Sequence, residues 1–176
     1  MSQNLPSIAE LPSLPQAAQT RALDLLFEPS PAIHSILGPV IRTASYASYI
    51  ELIEKCRLTF LSIAATSTSL NVDPALLSVI SSHPRLGAKK VDSAQSAAEQ
   101  ATLRGEDQQL AELNQEYEAK FPGLRFVVFV NGRDRSAIMH DMRARIDRDD
   151  FSLEVEAALL AMCEIARDRA FKLIRS

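Results

Sequence analysis

Only one stretch of this sequence, Phe126-Val127-Val128-Phe129-Val130, has the composition of a β-strand, and no second stretch of similar quality exists. The backbone groups of a buried strand must pair with a neighbour, so a lone strand founds no sheet. The fold therefore has to be built from helices, with this run as a short extended insert closed by Asn131-Gly132. Elsewhere apolar residues recur at three- and four-residue spacing. A first helix starts at residue 16 and passes through Leu23, Leu26 and Phe27 to the break at Pro29-Ser30-Pro31. A short one over 32–37 ends at Gly38-Pro39. A long one over about 46–66 carries Tyr49, Leu52, Ile53, Cys56, Phe60 and Ile63 on one face. Asp73-Pro74 opens a helix that ends before His83-Pro84, with Asp as N-cap and Pro at the first helical position. After a loop over 83–92, helices are expected at 93–103, 108–121, 136–146 and 152–174. The reading is one all-α domain of seven or eight helices over 16–176. An irregular arm, 1–15, precedes it and contains Pro6, Pro12 and Pro15.

Size and composition narrow the function. A chain of 176 residues and 19.4 kDa buries on the order of 20,000 Å² on folding, so its core needs no disulfide or metal. Five glycines, none spaced as GxGxxG or GxxxxGK[ST], exclude the standard phosphate-cradling loops. Cys56 and Cys163 are far apart in apolar stretches and read as core thiols of a reducing compartment. No CxxC or HExxH spacing exists, so no zinc site is expected. A pI of about 5.6 argues against a nucleic-acid partner, and no apolar run reaches the ~20 residues of a membrane span. There is no Lys or Arg before Arg21, which predicts neither a secretory nor a transit peptide. The closing FKLIRS differs from the peroxisomal SKL address. The expectation is a cytoplasmic protein, with a peroxisomal location left open, whose chemistry rests on side chains alone.

Three features resist a purely structural account. Arg169 occupies a gap in the apolar stripe Val155, Leu159, Met162, Ala166, Leu173 of the last helix. A buried arginine must be paired. Structurally it would snorkel to solvent or meet a carboxylate such as Glu51 or Glu154; functionally it would bind a planar anion. His83 stands at a helix end, where a cation suits the dipole, yet Pro84 stiffens the chain after it and Gly87 permits a close approach. Ser96 and Glu99 have the spacing of a capping box, or else they face a ligand together with Gln100. His34 and His140 read as surface residues.

Taken together and in order, these stretches resemble the OHCU decarboxylase family. LFEPSPAI (26–33) is similar to its glfE-SPW element, SSHPRLGAKK (81–90) to its HPxLG loop and SAAEQ (96–100) to its SxxEQ motif. Residues 113–138 are similar to its LNxxYxxKFGFPFVIxVxG segment, and 154–174 to its closing arginine-bearing helix. KFPGLRF in place of KFGFPF and Ala32 in place of Trp are departures. The resemblance implies an all-α, cofactor-free enzyme, usually a homodimer. It would decarboxylate 2-oxo-4-hydroxy-4-carboxy-5-ureidoimidazoline to (S)-allantoin in urate degradation. It assigns His83 and Glu99 to catalysis. To substrate contact it assigns Pro84, Ser96, Gln100, the backbone of Phe126, Val127 and Val128, and Arg169. The source of the product's proton stays open. The rival reading is a non-catalytic helical binding or scaffold domain, which would have no need of an imidazole at position 83.

Overall fold

Eight α-helices and no strand are found among the described residues of the computed structural model, which comprise 4–68, 70–87, 94–99 and 107–175. The helices are α1 (Gln16–Leu26), α2 (Pro31–Arg42), α3 (Tyr49–Ala64), α4 (Pro74–Ser81), α5 (Ala94–Glu99), α6 (Asp107–Lys120), α7 (Arg135–Arg148) and α8 (Phe151–Arg175). Five begin at side chains that accept a hydrogen bond from an otherwise unpaired backbone N–H: Ser30, Ser48, Asp73, Asp134 and Asp150. The all-α expectation holds.

The longest helix organises the rest. α8 packs most extensively along α3, and also against α1 and α4, while α1, α2 and α3 pack in succession and α6 lies on α7. Tyr49, Leu52, Ile53, Cys56 and Phe60 of α3 meet Val155, Leu159, Met162 and Ala166 of α8 in one continuous core. Phe60 and Phe27 meet in a T-shaped pair within it, with ring centroids 6.0 Å apart. Both cysteines are buried and free. Burial pushes the Cys163 thiol up to about 12 and raises Cys56 as well, so both are inert packing groups.

Two local expectations are corrected. α2 does not stop at Gly38-Pro39 but continues to Arg42, with Thr43 N donating to Pro39 O at 3.0 Å. Burial of Ile33, Leu37, Val40 and Ile41 on one face outweighs the single hydrogen bond that Pro39 withholds. α3 starts at Tyr49 rather than 46, because Ser48 caps it. The arm holds one 3₁₀ turn, Leu11–Ser13, and is fastened to the helices. Gln19 Nε2 donates to Pro12 O at 3.0 Å, and Tyr49 Oη donates to Pro6 O at 2.8 Å.

The extended insert is confirmed as a connector rather than a sheet strand. Phe126, Val127 and Val130 are buried in it, as is Leu124 just before it. Side chains take up its carbonyls: Arg145 Nη1 donates to Val127 O at 2.9 Å, and Arg133 Nη2 to Phe129 O at 2.6 Å. Arg145 also lies over the Phe126 ring, 4.3 Å from its centroid. No helix among the described residues is long and apolar enough to cross a membrane.

Candidate active site

Arg169 is among the largest fully buried side chains of the protein, 2% exposed, and it is fully engaged. Its Nε donates to Glu99 Oε1 at 2.6 Å. Its Nη2 donates to Ser96 Oγ at 2.9 Å, Glu28 Oε1 at 3.1 Å and Glu99 Oε2 at 3.3 Å. Its Nη1 reaches the carbonyls of Leu26 and Phe27 at the end of α1. A guanidinium has five N–H donors, and this one has acceptors for all of them. Ser96 in turn donates to Glu28 Oε1 at 2.5 Å. The turn after α1, the short α5 and the last third of α8 are thereby joined by one polar cluster inside the core.

These contacts correct two structural expectations. Arg169 does not snorkel; it meets carboxylates, as one structural reading expected, but they are Glu28 and Glu99 rather than Glu51 or Glu154. Glu51 caps α3, accepting from Ala47 N at 2.6 Å. Glu154 sits on the same helix as Arg169, fifteen residues away and thus roughly 22 Å along the axis. It is instead the buried acceptor for Tyr117 Oη (2.7 Å), Arg145 Nε and Arg148 Nη2 (both 2.8 Å). Nor do Ser96 and Glu99 form a capping box. Ser96 lies within α5, and both side chains turn inward to Arg169 and Glu28. Gln100 lies outside the described residues.

The two carboxylates gripping Arg169 differ in setting. Glu28 is 3% exposed at the side chain, Glu99 16%. Burial raises the Glu28 carboxyl above its ordinary value, opposed by hydrogen bonding from Ser96 and by the charge of Arg169, and reinforced by Glu99. Beside the pair, Gln95, Ala98, Glu99, Arg169, Lys172 and Leu173 line a cleft of about 270 Å³. Glu28 was not singled out from the sequence, although it stands as a lone charge between Phe27 and Pro29. A buried position for that charge was the missing signal.

His83 follows α4 and is buried. Burial, then the charges of Arg169 and Arg125, push its imidazole down to about 3, so the ring is neutral at physiological pH. Its side chain makes no hydrogen bond among the described residues, while its backbone is fixed. Arg125 Nη1 donates to His83 O at 3.0 Å, Asn114 Nδ2 donates to Leu86 O at 3.0 Å, and Arg85 forms a two-point ion pair with Glu118. Pro84, between them, is half-buried. Through Arg125 the loop is tied to the connector, where Val127 O is occupied by Arg145. Phe126 and Val128 make no backbone hydrogen bond among the described residues.

Gly87 completes the loop with φ +73°, and a Cβ there would approach Leu110 Cδ1 at 3.4 Å, an ordinary contact. Among the described residues, the strain of a side chain would therefore lie in the backbone rather than in a clash. Gly87→Ala is expected to lower stability by about 1 kcal/mol, read as a lower denaturant midpoint at unchanged slope.

Other groups fall elsewhere. A larger cleft of about 560 Å³ between α6 and α7 is lined by Glu112, Glu116, His140 and Arg143 and by none of the expected site residues. His140 is exposed, and His34 pairs with Asp24 at 2.5 Å, half-buried. No group of three or more His, Cys, Asp or Glu side chains among the described residues is placed to hold a metal ion.

Over residues 12–171 the sequence matches a family model described as OHCU decarboxylase. No curated protein matches the chain.

Proposed function

The chain belongs to the OHCU decarboxylase family, and from that premise we propose that it converts 2-oxo-4-hydroxy-4-carboxy-5-ureidoimidazoline to (S)-allantoin. The observation that carries this reading is a buried guanidinium within electrostatic reach of a neutral histidine whose side chain makes no hydrogen bond among the described residues. Arg169 suits the substrate's carboxylate, since arginine recognises planar anions in two-point geometry. Every N–H of Arg169 is engaged, so an arriving carboxylate must displace a partner. Glu99 is the partner to yield. It is the more exposed carboxylate and borders the cleft, and once released it can accept from the substrate's ureido and ring N–H groups.

Decarboxylation breaks the bond from the ring carbon to the carboxylate. Carbon dioxide leaves and the electron pair passes into the substrate's imine-like ring. A proton added on one face then sets the configuration of allantoin. On this reading the substrate is its own electron sink, and the protein's work is orientation and proton handling. His83 is the group for the latter. It is neutral while the site is empty, because burial and, after it, two arginines oppose its protonation; the substrate's negative charge offsets the arginines and raises its proton affinity. Pro84 and the backbone of Phe126 and Val128, which has no hydrogen bond among the described residues, would contact the ring edge.

The test is direct. Freshly generated substrate is supplied and allantoin is followed by circular dichroism. The expected result is a fast signal of a single hand; a rate equal to the spontaneous reaction would sink the proposal and favour a non-catalytic domain.

A further inference from the structure

The polar cluster holds one carboxylate that the proposed chemistry does not use. Glu28 is sealed from solvent, is not among the residues lining the cleft that Glu99 borders, and accepts from both Arg169 Nη2 and Ser96 Oγ. A buried acid at a helix end needs a reason, because desolvating a carboxylate costs several kcal/mol. The fold does not require it to neutralise Arg169, since Glu99 already supplies one negative charge at 2.6 Å. With Glu28 ionised the cluster carries two carboxylates for one guanidinium. That surplus makes sense if one of the two must let go.

We infer that Glu28 is a positioning residue of this site, a fixed brace that keeps Arg169 aimed at the cleft while Glu99 exchanges for the carboxylate of the substrate. The inference rests on the decarboxylase reading above and deepens it. The geometry divides the labour. Nη1 and Nη2 are tied on the inner side by the Leu26 and Phe27 carbonyls, Glu28 and Ser96. Nε, with part of Nη2, is the edge that Glu99 covers and a ligand can take over. The same ties fix Ser96, and with it α5, to the turn after α1. When Glu99 departs, the guanidinium stays charge-paired and keeps its orientation; without Glu28 its whole charge rests on Glu99, and the substrate's carboxylate must compete with a tighter pair.

A purely structural Glu28 and a positioning Glu28 differ in what they do to ligands with and without a carboxylate. Glu28→Gln preserves shape and one acceptor oxygen but removes the charge. It is expected to raise KM for the substrate about tenfold or more, with kcat changed less, while affinity for allantoin, which has lost the carboxylate, stays within about threefold. Glu28→Asp keeps the charge one methylene short of Nη2; it is expected to give an intermediate rise in KM, and it carries the test if Glu28→Gln does not fold. A KM within twofold of wild type overturns the inference whatever the stability of the variant, and so does an equal loss of substrate and allantoin affinity. Turnover by wild type separates the two levels of argument. An inactive wild type removes the function and the inference together, whereas an active wild type with an unmoved KM in the variants removes only the brace.

Discussion

Replacing Arg169 by leucine is expected to cost the fold about 3–5 kcal/mol and to abolish turnover. The stability loss follows from what is left behind rather than from what is removed. Leucine fits an apolar helix stripe, but Glu28 stays in the core with Ser96 as its hydrogen-bond donor, and truncating one partner of a buried charge pair leaves the other uncompensated. The loss depends on pH in a stated direction. Burial already raises the Glu28 carboxyl, and removing the arginine raises it further. Between the unfolded value near 4.5 and the raised folded value, the folded state binds more protons than the unfolded one, so stability falls as pH rises through that window. The deficit of Arg169→Leu relative to wild type should therefore shrink towards pH 5 and widen towards pH 8. Adding Glu28→Gln to the variant should restore part of the loss, since the orphaned charge goes with it. Urea unfolding of wild type, both single variants and the double variant over that range measures all of this. A deficit independent of pH, with no recovery in the double variant, would show that Glu28 does not feel the arginine.

Arg169 also shows how far the sequence could be read. Its place in the apolar stripe of α8 is visible from 3.6-residue periodicity alone, and burial follows. Its partners are not visible, because they come from 70 and 141 residues away in the chain, and no local rule brings α5 and the turn after α1 to the same side of α8. Glu154 could have been set aside as a partner on helix geometry, since two residues fifteen apart on one straight helix cannot meet. The capping-box reading of Ser96 and Glu99 failed for a related reason. Spacing decides a cap only when the side chains have nothing better to bind, and a buried guanidinium is better. Pro39 is the same lesson in the fold: a local breaker yields when the residues on either side of it bury an apolar face. What did transfer were features fixed by adjacent residues, such as the Asp73-Pro74 helix start and the lone extended run at 126–130. The end of α4 just before His83-Pro84 and the left-handed turn at Gly87 belong to the same group.

His83→Gln is expected to lower kcat by a factor of about 10²–10⁴, the range that positioned proton transfer contributes. The pH behaviour tests more than the loss itself. In the free protein the imidazole is pushed down to about 3, so a pH profile of kcat/KM, which reports free-enzyme groups, should show no limb near 6.5. The substrate's carboxylate offsets the two arginines, so the apparent value in kcat should lie above that in kcat/KM. Its limb also assigns the role. Activity lost on the acid side means that the neutral ring is the working form; activity lost on the basic side means that the bound complex uses the imidazolium to deliver the proton. The same shift sets a stability slope. Between pH 3 and 6.5 the unfolded chain takes up a proton on His83 that the folded chain refuses, so stability is complete above about 6.5 and is lost as pH falls, by up to roughly 1.4 kcal/mol per pH unit. Glu28 works in the opposite direction over part of this range, which makes the difference between wild type and His83→Gln the quantity to measure. The variant should lose about one proton of acid-side slope. A kcat/KM limb near 6.5 that vanishes in His83→Gln, together with equal slopes for the two proteins, would mean that the ring titrates as it does in water and does not share the arginines' field.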